Sequence, residues 1–136
     1  MGTWGPGIFD NDTAADWAFG LEDLPDTQYI EKTLERVIEI RDGYLEAPDA
    51  EEALAAAEGV ARLRGRWGVR STYSEPLDEW VEAVKLQPDA NLVAMAIRAI
   101  DRVLAEPSEL VELWQEGDEF DAWKEGVLGL RTRLAE

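Results

Sequence analysis

The sequence predicts an all-α single domain, and three observations carry that expectation. After residue 12, apolar residues recur at three- and four-residue spacing, and no stretch sustains the alternation of a half-buried strand. Proline, glycine and capping residues break the chain at helix-length intervals. The 136 residues, 46% of them hydrophobic, suffice for one packed core. Six or seven helices joined by short turns imply stacked helical hairpins or an irregular bundle, preceded by a Gly-rich hook over residues 1–12.

The first helix is expected over "TAADWAFGLEDL", residues 13–24, with Ala14, Trp17, Ala18, Leu21 and Leu24 on one stripe. Pro25 ends it, and Asp26 is placed to cap the next. That second helix carries Ile30, Leu34, Val37 and Ile38 inward and stops at Gly43. The third, "PDAEEALAAAEGVARLRG", has Asp49 and Glu52 at capping-box spacing and an inward face of Ala50, Ala53, Leu54, Ala57 and Val60. Alanines allow close approach of a neighbour, so this helix is expected at the centre.

"RWGVRSTYS", residues 66–74, reads as a loop. "EPLDEWVEAVKLQ" starts a fourth helix with Pro76 in its first turn, where a missing N–H costs nothing. "QPD" then turns into "ANLVAMAIRAIDRVLAE", the most apolar helix and the expected hydrophobic centre. In "EPSELVELWQEG", Glu109 is suited to the free N–H groups of a helix start. The last helix, "EFDAWKEGVLGLRTRLAE", points Phe120, Trp123, Val127, Leu130 and Leu134 inward.

Composition excludes much chemistry. The chain contains no cysteine and no histidine, which removes disulfides, thiolate nucleophiles, Ser-His-Asp triads and the commonest zinc ligands. Catalysis is therefore not expected, and no cofactor is. An enzyme here would need a carboxylate base or a hard cation held by oxygens. The formal charge of −17 disfavours nucleic acid and favours rapid capture of basic partners. No apolar run is long enough to span a membrane, and the start lacks the pattern of a signal peptide, so a cytoplasmic location is expected. Residues 1–58 hold fifteen acids and three bases, residues 75–136 fifteen and six, and the segment between holds four arginines and no acid.

The opening stretch, "WGPGIFDNDTAADW", packs glycines around a proline and is expected to form a tight hook with positive backbone angles. Its large apolar residues, Trp4, Ile8 and Phe9, would plug one end of the helical core, with Trp4, Gly5, Gly7, Phe9, Asn11 and Asp12 as a structural motif. Asn11, Asp12 or Thr13 would cap the first helix. The weaker alternative makes Asp10 and Asp12 metal ligands. An EF-hand loop would need oxygen ligands and glycine where Ala14 and Ala15 stand, and a Glu where Leu21 stands.

Met1, Gly2, Trp4, Gly5, Gly7, Phe9, Asn11, Asp12, Ala15 and Asp16, or near neighbours, match an opening Met-Gly-x-Trp-Gly-x-Gly-x-Phe-x-Asn-Asp followed by Ala-x-Asp. In this the sequence resembles bacterial proteins of the domain of unknown function 4259 family. "ALAAAEGVARLRG" (53–65) and "SELVELWQE" (108–116) extend the resemblance over most of the chain. It implies no catalytic residue, substrate or cofactor, since the family's name assigns none.

Two further segments are candidates for recognition. Arg62, Arg64, Arg66 and Arg70 surround Trp67, either as cations facing helix-end carbonyls and nearby acids, or as an anion-binding patch with Trp67 as stacking platform. "EPSELVELWQEGDEFD", residues 106–121, holds seven acids and no base. It reads as a solvated face, or as a partner-binding surface of Glu109, Glu112, Glu116 and Asp118 around Trp114. Asp118 and Asp121 form no catalytic dyad by spacing alone, because thirty acids create such pairs by chance. The functional expectation is an acidic protein-interaction module, inhibitor- or immunity-like, that binds a basic protein. The alternative is a small-molecule or anion binder using Arg62–Arg70.

Overall fold

Residues 2–136 are described by a computed structural model; Met1, the first residue of the opening motif, lies outside the described residues. Seven α-helices make up the described chain: α1 (Asp12–Phe19), α2 (Gln28–Ile38), α3 (Ala47–Leu63), α4 (Glu75–Val84), α5 (Ala90–Leu104), α6 (Glu109–Gln115) and α7 (Phe120–Ala135). Extended pairing among the described residues is limited to two isolated bridges, Thr3 with Asn11 and Leu45 with Ser108. The domain is all-α, and its arrangement is the irregular bundle rather than a stack of hairpins.

The centre is α3, which packs against all six other helices. From Ala53 to Leu63 it is buried on every side. Its alanines remove the side-chain thickness that would hold neighbours away, and Gly59 marks the closest approach. A Cβ there would stand 3.2 Å from Ile30 of α2 and 3.3 Å from Leu77 of α4. The second expectation of a hydrophobic centre, at α5, is corrected: α5 buries Leu92, Ala96, Ala99, Ile100 and Val103 but leaves Asn91, Arg98 and Asp101 exposed. An amphipathic helix packs on a core, whereas a small-residue helix can be surrounded by one.

Several helix ends differ from expectation because a distant side chain sets them. α1 stops at Phe19, not Leu24. The Tyr29 hydroxyl donates to the Trp17 carbonyl (2.9 Å) and occupies the space a Cβ at residue 20 would need. Leu21 still falls into the core from the following turn. α2 stops at Ile38, and the left-handed residue beyond it is Arg41 (φ 56°), not Gly43. Arg102 fastens that turn by donating to the Arg41 and Gly43 carbonyls. Asp26 does not sit at the N-cap of α2; it accepts from the Gln28 N–H (3.0 Å) while Thr27 occupies the cap.

α3 begins two residues before Asp49, and the capping box is not formed. Instead Glu109 of α6 accepts the Ala47 N–H at 2.8 Å, so α3 is capped across the bundle. Asp89 does cap α5, accepting from the Leu92 N–H at 2.8 Å. Pro76 lies in the first turn of α4, and Trp123, Val127, Leu130 and Leu134 form the buried stripe of α7. Among the described residues no helix is long and apolar enough to cross a membrane.

Candidate functional site

The hook closes on itself through the backbone. Trp4 N–H donates to the Asp10 carbonyl (2.9 Å) and Asp12 N–H to the Gly2 carbonyl (2.7 Å). Asn11 caps α1, its Oδ1 accepting from the Ala14 N–H at 2.8 Å, while its amide donates to the Ile8 carbonyl. Gly5 and Gly7 do not have positive φ, which corrects one expectation. A Cβ at either would lie 2.6 or 2.7 Å from the Asp10 carboxylate and push it out of place. That carboxylate accepts from the Gly7 N–H (3.0 Å), so Asp10 organises the turn. No three acidic side chains converge as a metal-ligand group among the described residues.

Phe9 is buried, but Trp4 is not a core plug. It is 45% exposed and rests on Tyr73, ring centroids 4.6 Å apart. The hook thus anchors one aromatic inside and drapes the other over the 66–74 loop.

Phe9 also touches the arginine segment. Arg62 lies 2% exposed, its guanidinium 5.7 Å from the Phe9 ring and 5.5 Å from Trp67. It donates to Glu58 one turn earlier (3.2 Å), to Asp78 of α4 and to the Val69 carbonyl (2.9 Å). Arg133 of α7 pairs with the other Glu58 oxygen at 2.7 Å, and Ser74 donates to Asp78 at 2.7 Å. Each buried charge therefore meets an opposite charge, which a low-dielectric interior demands.

The remaining arginines are also matched within the chain. Arg70 stacks 4.5 Å over Trp67 and pairs with Glu82 at 3.2 Å. Arg64 donates to the Leu134 carbonyl, and Arg66 stands 4.0 Å from Glu136. A cleft of about 300 Å³ lies beside them, but it faces the C-terminal ends of α3 and α4. Arg64 and Lys85, the C-caps of these helices, offset the negative helix ends there. The segment is a clamp joining α3, α4, α7 and the loop.

The acidic segment is divided. Glu109 caps α3, Glu112 accepts from the Tyr44 hydroxyl (3.1 Å), and Trp114 is half-buried against Trp123 at a centroid distance of 6.1 Å. Glu116 and Asp118 are exposed at the α6–α7 turn.

A feature that the sequence reading missed lies on the opposite flank of α4. A groove of about 690 Å³ runs between the turn after α1 and the outer face of α4. Leu24, Pro76, Trp80 and Val84 form its apolar floor, with the exposed Ala83 beside them. Glu22, Asp23, Glu75 and Glu79 rim it, and no basic residue lines it. None of these four acids forms an ion pair among the described residues, and Phe19 stands 61% exposed at one end. The signal available in the sequence was the Glu75/Glu79 pair one turn apart, beside the apolar Pro76, Trp80, Ala83 and Val84.

The family model described as domain of unknown function (DUF4259) matches residues 2–126. The chain belongs to the DUF4259 family. The match takes in the hook, the arginine clamp apart from the last turns of α7, and the whole groove, so these are parts of the DUF4259 portion of the chain. No curated protein and no solved structure matches it.

Proposed function

We propose that this DUF4259 chain is an acidic protein-interaction module of the bacterial cytoplasm that engages a basic partner protein, in the manner of a neutralising inhibitor. The observation that supports the reading is the imbalance of surface charge. The net charge is −17, and among the described residues only Glu52, Glu58, Asp78, Glu82, Asp101 and Glu136 stand within ion-pair distance of an arginine. The other acids are displayed on a folded surface rather than on a flexible tail. Such a field raises the encounter rate with a cationic protein and weakens as salt screens it.

The anion-binding alternative loses support because Arg62, Arg64 and Arg70 already meet carboxylates or carbonyls of the chain. Affinity capture from the native host, first at low and then at high salt, tests the reading. It predicts retention of a basic protein that elutes as salt rises. Neutralising Glu22, Asp23, Glu75, Glu79, Glu116 and Asp118 to their amides should abolish retention. Retention of no basic protein at low salt, or unchanged retention by the neutralised variant, contradicts it.

A further inference from the structure

We infer that the groove between the α1 turn and α4 is the docking site for a basic amphipathic helix of a partner protein. This rests on the acidic-module reading and assigns it a place on the molecule. An apolar floor alone would accept many occupants, but this groove combines that floor with four unmatched carboxylates and no cation. The complementary surface carries apolar side chains flanked by Lys or Arg. Phe19, exposed and set among acids, supplies an aromatic contact at the edge.

The backbone chemistry selects a helix over an extended segment. The groove is walled by the turn after α1 and by α4 and offers no strand edge, so an inserted strand would leave its own N–H and C=O groups without partners. The Leu24 carbonyl on the floor already accepts from Trp80 Nε1–H at 2.9 Å. A helix satisfies its backbone internally and needs only side-chain contacts. A second copy of this chain is disfavoured, because two molecules of charge −17 would bring acidic rims together. A small molecule would need convergent hydrogen-bonding groups on the floor, whereas the groove's charges lie at its rim.

The test selects phage-displayed peptides of about 16 residues, roughly four helical turns, against the immobilised chain at low salt. The recovered peptides should carry Leu, Ile or Phe at three- and four-residue spacing with Lys or Arg beside them. Ala83→Arg places a cation beside the floor at an exposed position, so its melting temperature should match the parent. It should weaken a recovered peptide by about tenfold or more, a loss of about 1.4 kcal/mol. Glu116→Lys with Asp118→Lys should weaken the same peptide far less. Peptides indifferent to Ala83→Arg, or lost instead with the Glu116 and Asp118 changes, overturn the groove while leaving an acidic module elsewhere on the surface. Recovery of no basic peptide overturns both. Sedimentation showing a dimer of the parent that Ala83→Arg dissociates would assign the groove to a second copy and equally overturn the inference.

Discussion

Two pairs of acids along α4 use the same residue types to opposite effect. Asp78 and Glu82 meet Arg62 and Arg70 beside Trp67, and Asp78 is 1% exposed. Glu75 and Glu79 meet no cation and line the groove. Positions 75, 78, 79 and 82 fall on one side of the helix, so the two pairs are told apart by what packs beside them, the arginine clamp on one flank and the open groove on the other. Asp78 cannot be separated from Arg62 without leaving a buried charge unpaired, whereas Glu82 pairs with Arg70 in solvent. Glu75 and Glu79 form no ion pair among the described residues and remain available to another molecule.

The strongest way to break this comparison is to remove the central cation. Arg62→Ala leaves Glu58 and Asp78 facing a cavity and should cost about 3–5 kcal/mol in urea unfolding, within the range for broken buried pairs. Phe9→Ala, beside the same guanidinium, should cost about 3 kcal/mol or more, whereas Trp4→Ala should cost clearly less because that ring is half in solvent. Equal losses for the two would contradict the distinction between an inner and an outer aromatic.

A smaller effect is expected at Glu109. Glu109→Ala removes the cross-bundle cap of α3 and should cost about 1 kcal/mol, the typical value of an N-cap. At the groove, Glu75→Gln with Glu79→Gln should leave stability within about 0.5 kcal/mol of the parent. A large loss there would show that these acids are structural after all.

The smallest effect concerns Glu51, whose pKa is raised by burial and then by Glu109 and Glu52, against a lowering by Thr13. A carboxyl group with a raised folded pKa binds its proton more tightly when folded. Its contribution therefore opposes stability near neutral pH and is relieved as pH falls through the raised value. Glu51→Gln should raise the melting temperature slightly near pH 7. That gain should vanish below about pH 4, where the parent carboxyl is itself protonated in both states.

Much of the fold was legible because it is local. The apolar stripes of α2 and α7, the Pro76 start, the turn before α5 and the alanine-rich centre follow from spacing and residue type. The misplaced helix ends share one cause: Tyr29, Arg102 and Glu109 act on segments distant in sequence. The arginine segment was visible as a charge pattern, but Arg62 could not be told from its surface neighbours without α4 and α7 packed beside it. The Glu58–Arg62 spacing, one helical turn inside an otherwise apolar run, was the available hint. The groove was the least legible, since it joins two stretches about fifty residues apart whose acids look like any others in a chain with thirty.

The central claim, that the groove beside α4 is the binding site, is tested most directly by backbone amide chemical shifts. The isotope-labelled chain would be titrated with a basic amphipathic peptide recovered by the selection. The account predicts that the perturbed amides cluster at Phe19–Leu24 and along Thr72–Val84, with Ala83 among the largest. Perturbations centred instead on Glu109–Asp118, or spread evenly over the acidic surface, would contradict it.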